Sequence, residues 1–334
     1  MNPEALDEVG RVPHGGSDDP ELLDFSANVN PETPDGAREV YRAAFADARS
    51  YPDDRYPDFR AAAADYVGCD PGAVVPTPGG MAAIRLTVEA TVGPDDSVLV
   101  PFPSFGEYAR EVRLQGATPA FVPHDELLEA DPAGHALAVV CNPNNPTGEC
   151  YPREALAAFA DRCRDAGTAL LVDEAFLGFA REGSLAPREG VVAARSLTKL
   201  FGLPGLRAGF AVASGRLRER LATAAPPWSL GTPAAAVGAH CLRDDAFVEA
   251  TRERVASERD RMAARCSTRF AVRPSDAPFL LLDVGEDPAD LCERVRERGV
   301  AVRDATTFRG LDSHVRVAVR SREENERLLE ALDV

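Results

Sequence analysis

The chain has 334 residues, 45% hydrophobic and 27% charged, which fits a folded protein of about two domains and excludes a disordered chain, a collagen or a small disulfide scaffold. Acidic residues outnumber basic ones by 54 to 37, a net charge of −17, so the surface as a whole repels nucleic-acid backbone and anionic lipid. An anionic substrate must then be held by a local cluster of arginines that works against the global field.

Residues 1–33 are rich in Gly, Pro and Asp and read as an irregular arm. The opening MNPEALDEVGR is acidic and lacks an apolar centre, so no secretory signal is expected. No apolar run approaches the ~18 residues that a membrane helix needs. Helical periodicity begins near Asp35, with Ala37, Val40, Tyr41 and Ala44 on one face. Strands are then predicted at 74–76, 97–101, 118–122, 136–141, 169–172, 191–194 and 208–213. Helices alternate with them, for example over 81–91, 105–114 and 153–166. Apolar strands of this kind, alternating with helices, predict an α/β fold: a mostly parallel seven-stranded sheet covered on both faces. After Pro226-Pro227 the pattern changes. A long charged helix over 245–267 precedes short strands at 271–273, 279–284, 300–303 and 315–319 and helices at 288–298 and 322–332. The expected organisation is an arm (1–33) packed on a small α+β domain (228–334), beside a large domain (34–227).

The seven cysteines, at 69, 141, 150, 163, 241, 266 and 292, are scattered and contain no C-x-x-C. They predict reduced, buried thiols and a cytoplasmic setting. His124, His135, His240 and His314 have no spacing that suits a metal, and no metal is expected. The charged stretch 252–273 is expected to be a solvated helix face.

Among the 37 basic residues Lys199 is the only lysine. It lies in Ser196-Leu197-Thr198-Lys199, ahead of Gly202, Pro204, Gly205 and Arg207. A lysine in such a loop at a sheet edge can form a Schiff base with a carbonyl, and the nearby hydroxyls and guanidinium can hold a phosphate. Leu170-Leu171-Val172-Asp173-Glu174-Ala175-Phe176 is an apolar strand that ends in a carboxylate, at the tip where open α/β sheets bind ligands. Cys141-Asn142-Pro143-Asn144-Asn145-Pro146-Thr147-Gly148 follows another strand. Pro76-Thr77-Pro78-Gly79-Gly80-Met81 is a strand, a glycine turn and a helix start, suited to phosphate. It is not G-x-G-x-x-G, and no acidic residue stands where a dinucleotide ribose would need one, which disfavours a nicotinamide dehydrogenase.

Together and in this order, these runs resemble the fold-type I pyridoxal-phosphate enzymes of the class I/II aminotransferase group, over essentially the whole chain. His14-Gly15-Gly16 and Asp24-Phe25-Ser26-Ala27-Asn28-Val29-Asn30-Pro31 further resemble the start of L-threonine-O-3-phosphate decarboxylases, which make aminopropanol phosphate for cobalamin (corrinoid) biosynthesis. Pro226-Pro227-Trp228-Ser229, Val302-Arg303-Asp304 and the run 315–320 are similar as well. Histidinol-phosphate aminotransferases share the cofactor motifs.

The resemblance implies a type I fold and the cofactor pyridoxal 5'-phosphate. It makes Lys199 the Schiff-base lysine and Asp173 the partner of the pyridinium nitrogen. Asn145 is implied to bond the ring hydroxyl and Phe105 to stack on the ring. Gly80, Met81, Ser196 and Arg207 would form the phosphate cup. Tyr51 would reach the phosphate of a neighbouring subunit, so a homodimer is implied. Arg316 would grip the substrate carboxylate, with His14, Gly15, Asn28, Asn145 and Arg303 around a small phosphorylated amino-acid substrate.

Two positions depart from the pattern. Phe176 stands where many aminotransferases have a tyrosine that donates to the ring oxygen; the decarboxylases tolerate Phe. The cup turn reads T-P-G-G-M rather than G-N-G. The expected activity is decarboxylation of L-threonine O-3-phosphate, with transamination of the histidinol-phosphate type as the alternative. A non-catalytic relative would have lost Lys199 or Asp173, and both are present. Neither nucleic acid nor membrane is an expected partner.

Overall fold

The computed structural model describes residues 1–334. Its strands are β1 (Leu23–Asp24), β2 (Val74–Thr77), β3 (Ser97–Phe102), β4 (Thr118–Pro123), β5 (Leu137–Cys141), β6 (Ala169–Asp173), β7 (Val191–Ser196), β8 (Gly209–Ala213), β9 (Ala271–Val272), β10 (Phe279–Asp283), β11 (Val300–Ala301), β12 (Arg303–Asp304) and β13 (His314–Ala318). Strands β2 to β8 form one seven-stranded sheet in the order β2-β8-β7-β6-β5-β3-β4. Only β8 is antiparallel to its neighbours, β2 and β7; the other pairs are parallel. The mostly parallel α/β sheet predicted from the apolar strands is therefore present. Because β8 opposes both neighbours, β2 points the same way as the parallel strands. The carboxyl ends of β2, β3, β5, β6 and β7 all lie along one edge.

Strands covered on both faces must be apolar at successive positions, and β5 (Leu-Ala-Val-Val-Cys) is buried throughout. One face of the sheet packs Val98, Val139 and Leu171 with Ala83 and Ile84 of helix Gly80–Thr91. The other packs Leu99, Val140 and Leu170 with Leu156 and Phe159 of helix Arg153–Ala166. Each such Val, Leu, Ile or Phe side chain taken out of water stabilises the fold by roughly 1.5–3 kcal/mol. This packing fixes the sheet edge that carries the polar residues described below.

The second sheet is antiparallel, in the order β12-β13-β10-β9. The long helix Asp245–Cys266 buries Val248, Val255, Met262 and Cys266 on one stripe. The fully solvated face expected over 252–273 is not found, since Arg252, Arg254, Arg259 and Arg261 are half-buried and Glu258 is buried with Arg261 on it at 2.7 Å. Helix Arg322–Ala331 begins at a capping box made by Ser321 and Glu324. The stretch 300–303, read as one strand, is two. Val300–Ala301 pairs with β1 and Arg303–Asp304 with β13, because different neighbours lie on the two sides of Val302.

Two boundaries need correction. The helix after Pro227, Thr232–Leu242, packs against helices Ala37–Asp47 and Pro57–Val67 of the large domain. Its run of Ala and Val suits that buried place, so the large domain extends past 227. The arm also serves both domains. Phe25 is fully buried beside the small domain, bonded through its N–H to Ala301 and through its carbonyl to Ala318. Residues before 13 lie on helix Glu107–Leu114 instead: the Asn2 N–H donates to Leu114 at 2.7 Å, and Arg110 Nε donates to the Gly10 carbonyl at 3.0 Å. No helix is long and apolar enough to cross a membrane.

Candidate active site at the carboxyl edge of the large sheet

The strand ends at that edge open into a cavity of about 890 Å³. Its lining includes Lys199, Asp173, Asn145, Phe105, Gly80, Met81, Ser196, Arg207, His14, Gly15, Asn28, Arg303 and Arg316. Of the residues singled out in the sequence, only Tyr51 lies elsewhere: it is 79% exposed and stacks on Trp228 with ring centroids 4.4 Å apart. Six arginines and Lys199 line the cavity against three carboxylates, Glu107, Glu111 and Asp173. On a chain of net charge −17, this concentration of cations is local.

At one end of the cavity, β2 leads through Gly79 into helix Gly80–Thr91, whose N-terminus has no side-chain cap. The N–H groups of Gly80 and Met81 find no acceptor within the chain. Gly79 has φ +97°, and a side chain there would meet the Arg207 guanidinium at 2.6 Å. Gly209 lets the cup close up, since a Cβ on it would stand 2.6 Å from both the Arg195 carbonyl and the Gly79 backbone. The Ser196 and Thr198 hydroxyls bond each other at 2.8 Å beside this turn, and Arg207 meets no carboxylate; Nη1 donates only to the Pro204 carbonyl at 3.1 Å. Free N–H groups at a helix start, two hydroxyls and an unpaired guanidinium are donors that could hold a phosphate.

Asp173 ends β6 and is 6% exposed. Its Oδ2 accepts from the Tyr108 hydroxyl at 2.6 Å and its Oδ1 from the Ala175 N–H at 3.0 Å. Burial pushes this carboxyl up, while Tyr108, the Ala175 N–H and the Lys199 charge oppose that rise. The next residue, Glu174, is spent on the fold: it pairs with Arg195 at 2.7 Å and accepts from Ser184. Tyr108 is absent from the sequence reading. It follows Phe105 by three residues at the start of helix Glu107–Leu114, and the two rings meet edge to face at 5.5 Å; in the sequence that spacing signals packing and not a hydroxyl aimed at Asp173.

Lys199 sits in the short helix Leu197–Leu200 that follows β7. Its amine makes no hydrogen bond or ion pair within the chain. Burial, then Arg316 and Arg207, pull it down to about 8. Arg316 on β13 is 5% exposed. It donates to the Asn145 side-chain oxygen and, at 2.9 Å, to the Ser26 carbonyl, and Nε has no partner. No carboxylate meets this buried guanidinium, which could therefore take an anion from the cavity. Asn28, 3% exposed, leaves its side-chain oxygen without a donor.

The arm forms the outer wall. Arg303 donates to the carbonyls of His14 at 2.9 Å and Pro13 at 2.8 Å. His14 meets Glu107 at 3.0 Å, and Arg85 grips Glu111 through two hydrogen bonds of 2.7 and 2.9 Å. Arg11, Arg207, Arg303 and Arg316 are the lining arginines left without a carboxylate. Phe176 lines the cavity too, edge to face with Phe279 at 5.1 Å. The four histidines set aside in the sequence form no metal-binding group.

Residues 20–332 match the family profile described as aminotransferase class I and II. The threonine-phosphate decarboxylase of Salmonella typhimurium is 33% identical over 93% of this chain and 90% of its own. The histidinol-phosphate aminotransferase of Halobacterium salinarum is 32% identical over 98% of this chain and 94% of its own. Among solved structures, the L-threonine-O-3-phosphate decarboxylase of Porphyromonas gingivalis superposes with a TM-score of 0.84 at 26% identity, covering 92% of this chain and 98% of that one.

Proposed function

Because this chain belongs to the aminotransferase class I and II family, whose cofactor is pyridoxal 5'-phosphate, we propose that it decarboxylates a phosphorylated amino acid, L-threonine O-3-phosphate, to aminopropanol phosphate for corrinoid synthesis. The cavity's donor set fits the cofactor. Gly80, Met81, Ser196 and Arg207 would hold its phosphate; Asp173 would accept from its ring nitrogen; the Asn145 amide would meet its ring hydroxyl; Phe105 would cover the ring. When bound, the cofactor supplies a conjugated, protonated ring that takes up the electron pair released at the substrate's α-carbon.

The observation that carries the reading is the pair of anion sites beyond the cofactor cup. Arg316, buried and without a carboxylate, suits the α-carboxylate. Arg303, His14 and Gly15 of the outer wall suit a phosphate ester. Lys199, part neutral near pH 8, would be the amine that takes the cofactor's carbonyl and the group that moves the proton at the α-carbon. Holding both anions fixes the torsion about the α-carbon, and the torsion decides which bond breaks. Arg316 would hold the carboxylate for release as CO2, the cofactor taking up the electron pair, and Lys199 would return one proton to Cα. Phe176 supports this choice, since the decarboxylases that the chain resembles tolerate Phe where many aminotransferases carry a tyrosine. The relative from Halobacterium favours a second reading, in which Lys199 would remove the Cα proton for amino transfer.

The test is turnover of L-threonine O-3-phosphate without a keto acid. Sustained CO2 release over many turnovers is expected. Arg303→Ala should weaken the phosphorylated substrate by about tenfold or more while scarcely changing plain threonine, because a charge-assisted contact is lost. Amino transfer from histidinol phosphate to a keto acid, with no CO2 from threonine phosphate, would give the assignment to the second reading.

A further inference from the structure

Tyr108 is the largest side chain that is fully buried, and its hydroxyl donates to a single acceptor, Asp173 Oδ2. The 2.6 Å separation is that of a charge-assisted O–H···O⁻ bond. Asp173 meets no cation, and its only other donor is the Ala175 N–H on the opposite oxygen. Cys141 stands directly across the sheet from it in the β5–β6 register. The Cys141 thiol, 2% exposed and pushed up by burial, stays neutral and donates to the Pro143 carbonyl. Glu174 faces Arg195 instead. The orientation of Asp173 therefore depends on two hydrogen bonds, one from the backbone and one from Tyr108.

We propose that Tyr108 is a positioning residue that locks the Asp173 carboxylate in place and keeps it an acceptor for the cofactor's ring nitrogen. The reason is a balance of two effects. Burial favours the protonated carboxyl, and a donor aimed at the charged form offsets that. The terminal torsion of Asp is soft, so one backbone N–H leaves the second oxygen free to swing. Without the Tyr108 hydroxyl, Asp173 turns away or takes a proton, and in either state it accepts poorly from the ring. The segment 105–108, which leads into helix Glu107–Leu114, would thereby serve the ring twice, with Phe105 on its face and Tyr108 behind its carboxylate partner.

This rests on the reading that Asp173 faces the ring nitrogen, and the experiment separates the two. Full-length apoprotein is titrated with pyridoxal phosphate and with the analogue in which ring N–H is replaced by C–H, and both dissociation constants are measured by fluorescence. Tyr108→Phe keeps the ring and loses only the oxygen. It should weaken pyridoxal phosphate about tenfold and leave the carbocyclic analogue unchanged. Equal weakening of both ligands, or of neither, would overturn the proposal. In an Asp173→Ala background the Tyr108→Phe change should add nothing; an additive loss there also overturns it and remains readable if the single variant folds poorly. If Asp173→Ala still discriminates the two ligands, the reading of Asp173 falls and this inference with it. If Asp173→Ala abolishes discrimination while Tyr108→Phe retains it, only the role of Tyr108 falls.

Discussion

Lys199 holds an ammonium where water reaches it poorly, and that has a sign and a pH window. Its pKa in the fold, about 8, lies below the ordinary 10.5. At pH 7 the amine is protonated in both folded and unfolded chain, so the folded state bears the whole cost of burying the charge. Above pH 8 the folded chain releases its proton before the unfolded chain does, and the cost fades as pH approaches the ordinary value. Lys199→Met should therefore abolish turnover yet raise the stability of the cofactor-free protein at pH 7, by on the order of 1–3 kcal/mol. Thermal unfolding of both apoproteins at pH 7 and pH 10 checks this; a gain that does not shrink at the higher pH would refute it. Uptake of cofactor by the native apoprotein should also quicken from pH 7 to pH 9, as the neutral amine becomes available.

At the scale of elements, the turn into helix Gly80–Thr91 is the most exacting piece of backbone in the cavity. A methyl on Gly79 would force a φ of +97° on an L side chain and press on Arg207 at 2.6 Å. Gly79→Ala should leave the far-ultraviolet circular dichroism unchanged and weaken the cofactor by tenfold or more; equilibrium dialysis measures it, and native affinity would contradict the phosphate cup drawn here. Strands of the large sheet were legible because two-sided burial writes itself as unbroken apolar runs, as in Leu137–Cys141 and Ala169–Asp173. The direction of β8 was not, since Gly-Phe-Ala-Val-Ala reads the same either way. Helices Pro57–Val67 and Thr232–Leu242 were missed because alanine-rich segments buried against each other lack the polar face that marks a helix. Cavity residues at the strand ends were visible as motifs. Tyr108 was not, because an aromatic residue in an amphipathic helix reads as packing until its hydroxyl partner is seen.

For the molecule as a whole, Tyr51 and Trp228 stack on each other at the surface, 79% and 47% exposed. If Tyr51 completes the phosphate cup of a partner, a Tyr51→Ala chain mixed with a Lys199→Ala chain should regain part of the native activity through hybrids holding one intact site. Hybrids that form and stay inactive would rule out the shared site. The lone lysine carries its own consequence. Apart from the α-amine of Met1, the cavity holds the only primary amine on the chain. A free aldehyde cofactor, which elsewhere would stray onto surface lysines, has one side-chain address here. An amine-directed label applied to a preparation would mark Lys199, beyond the mark on Met1, only in protomers whose cavity is unfilled, so the second mark gauges occupancy.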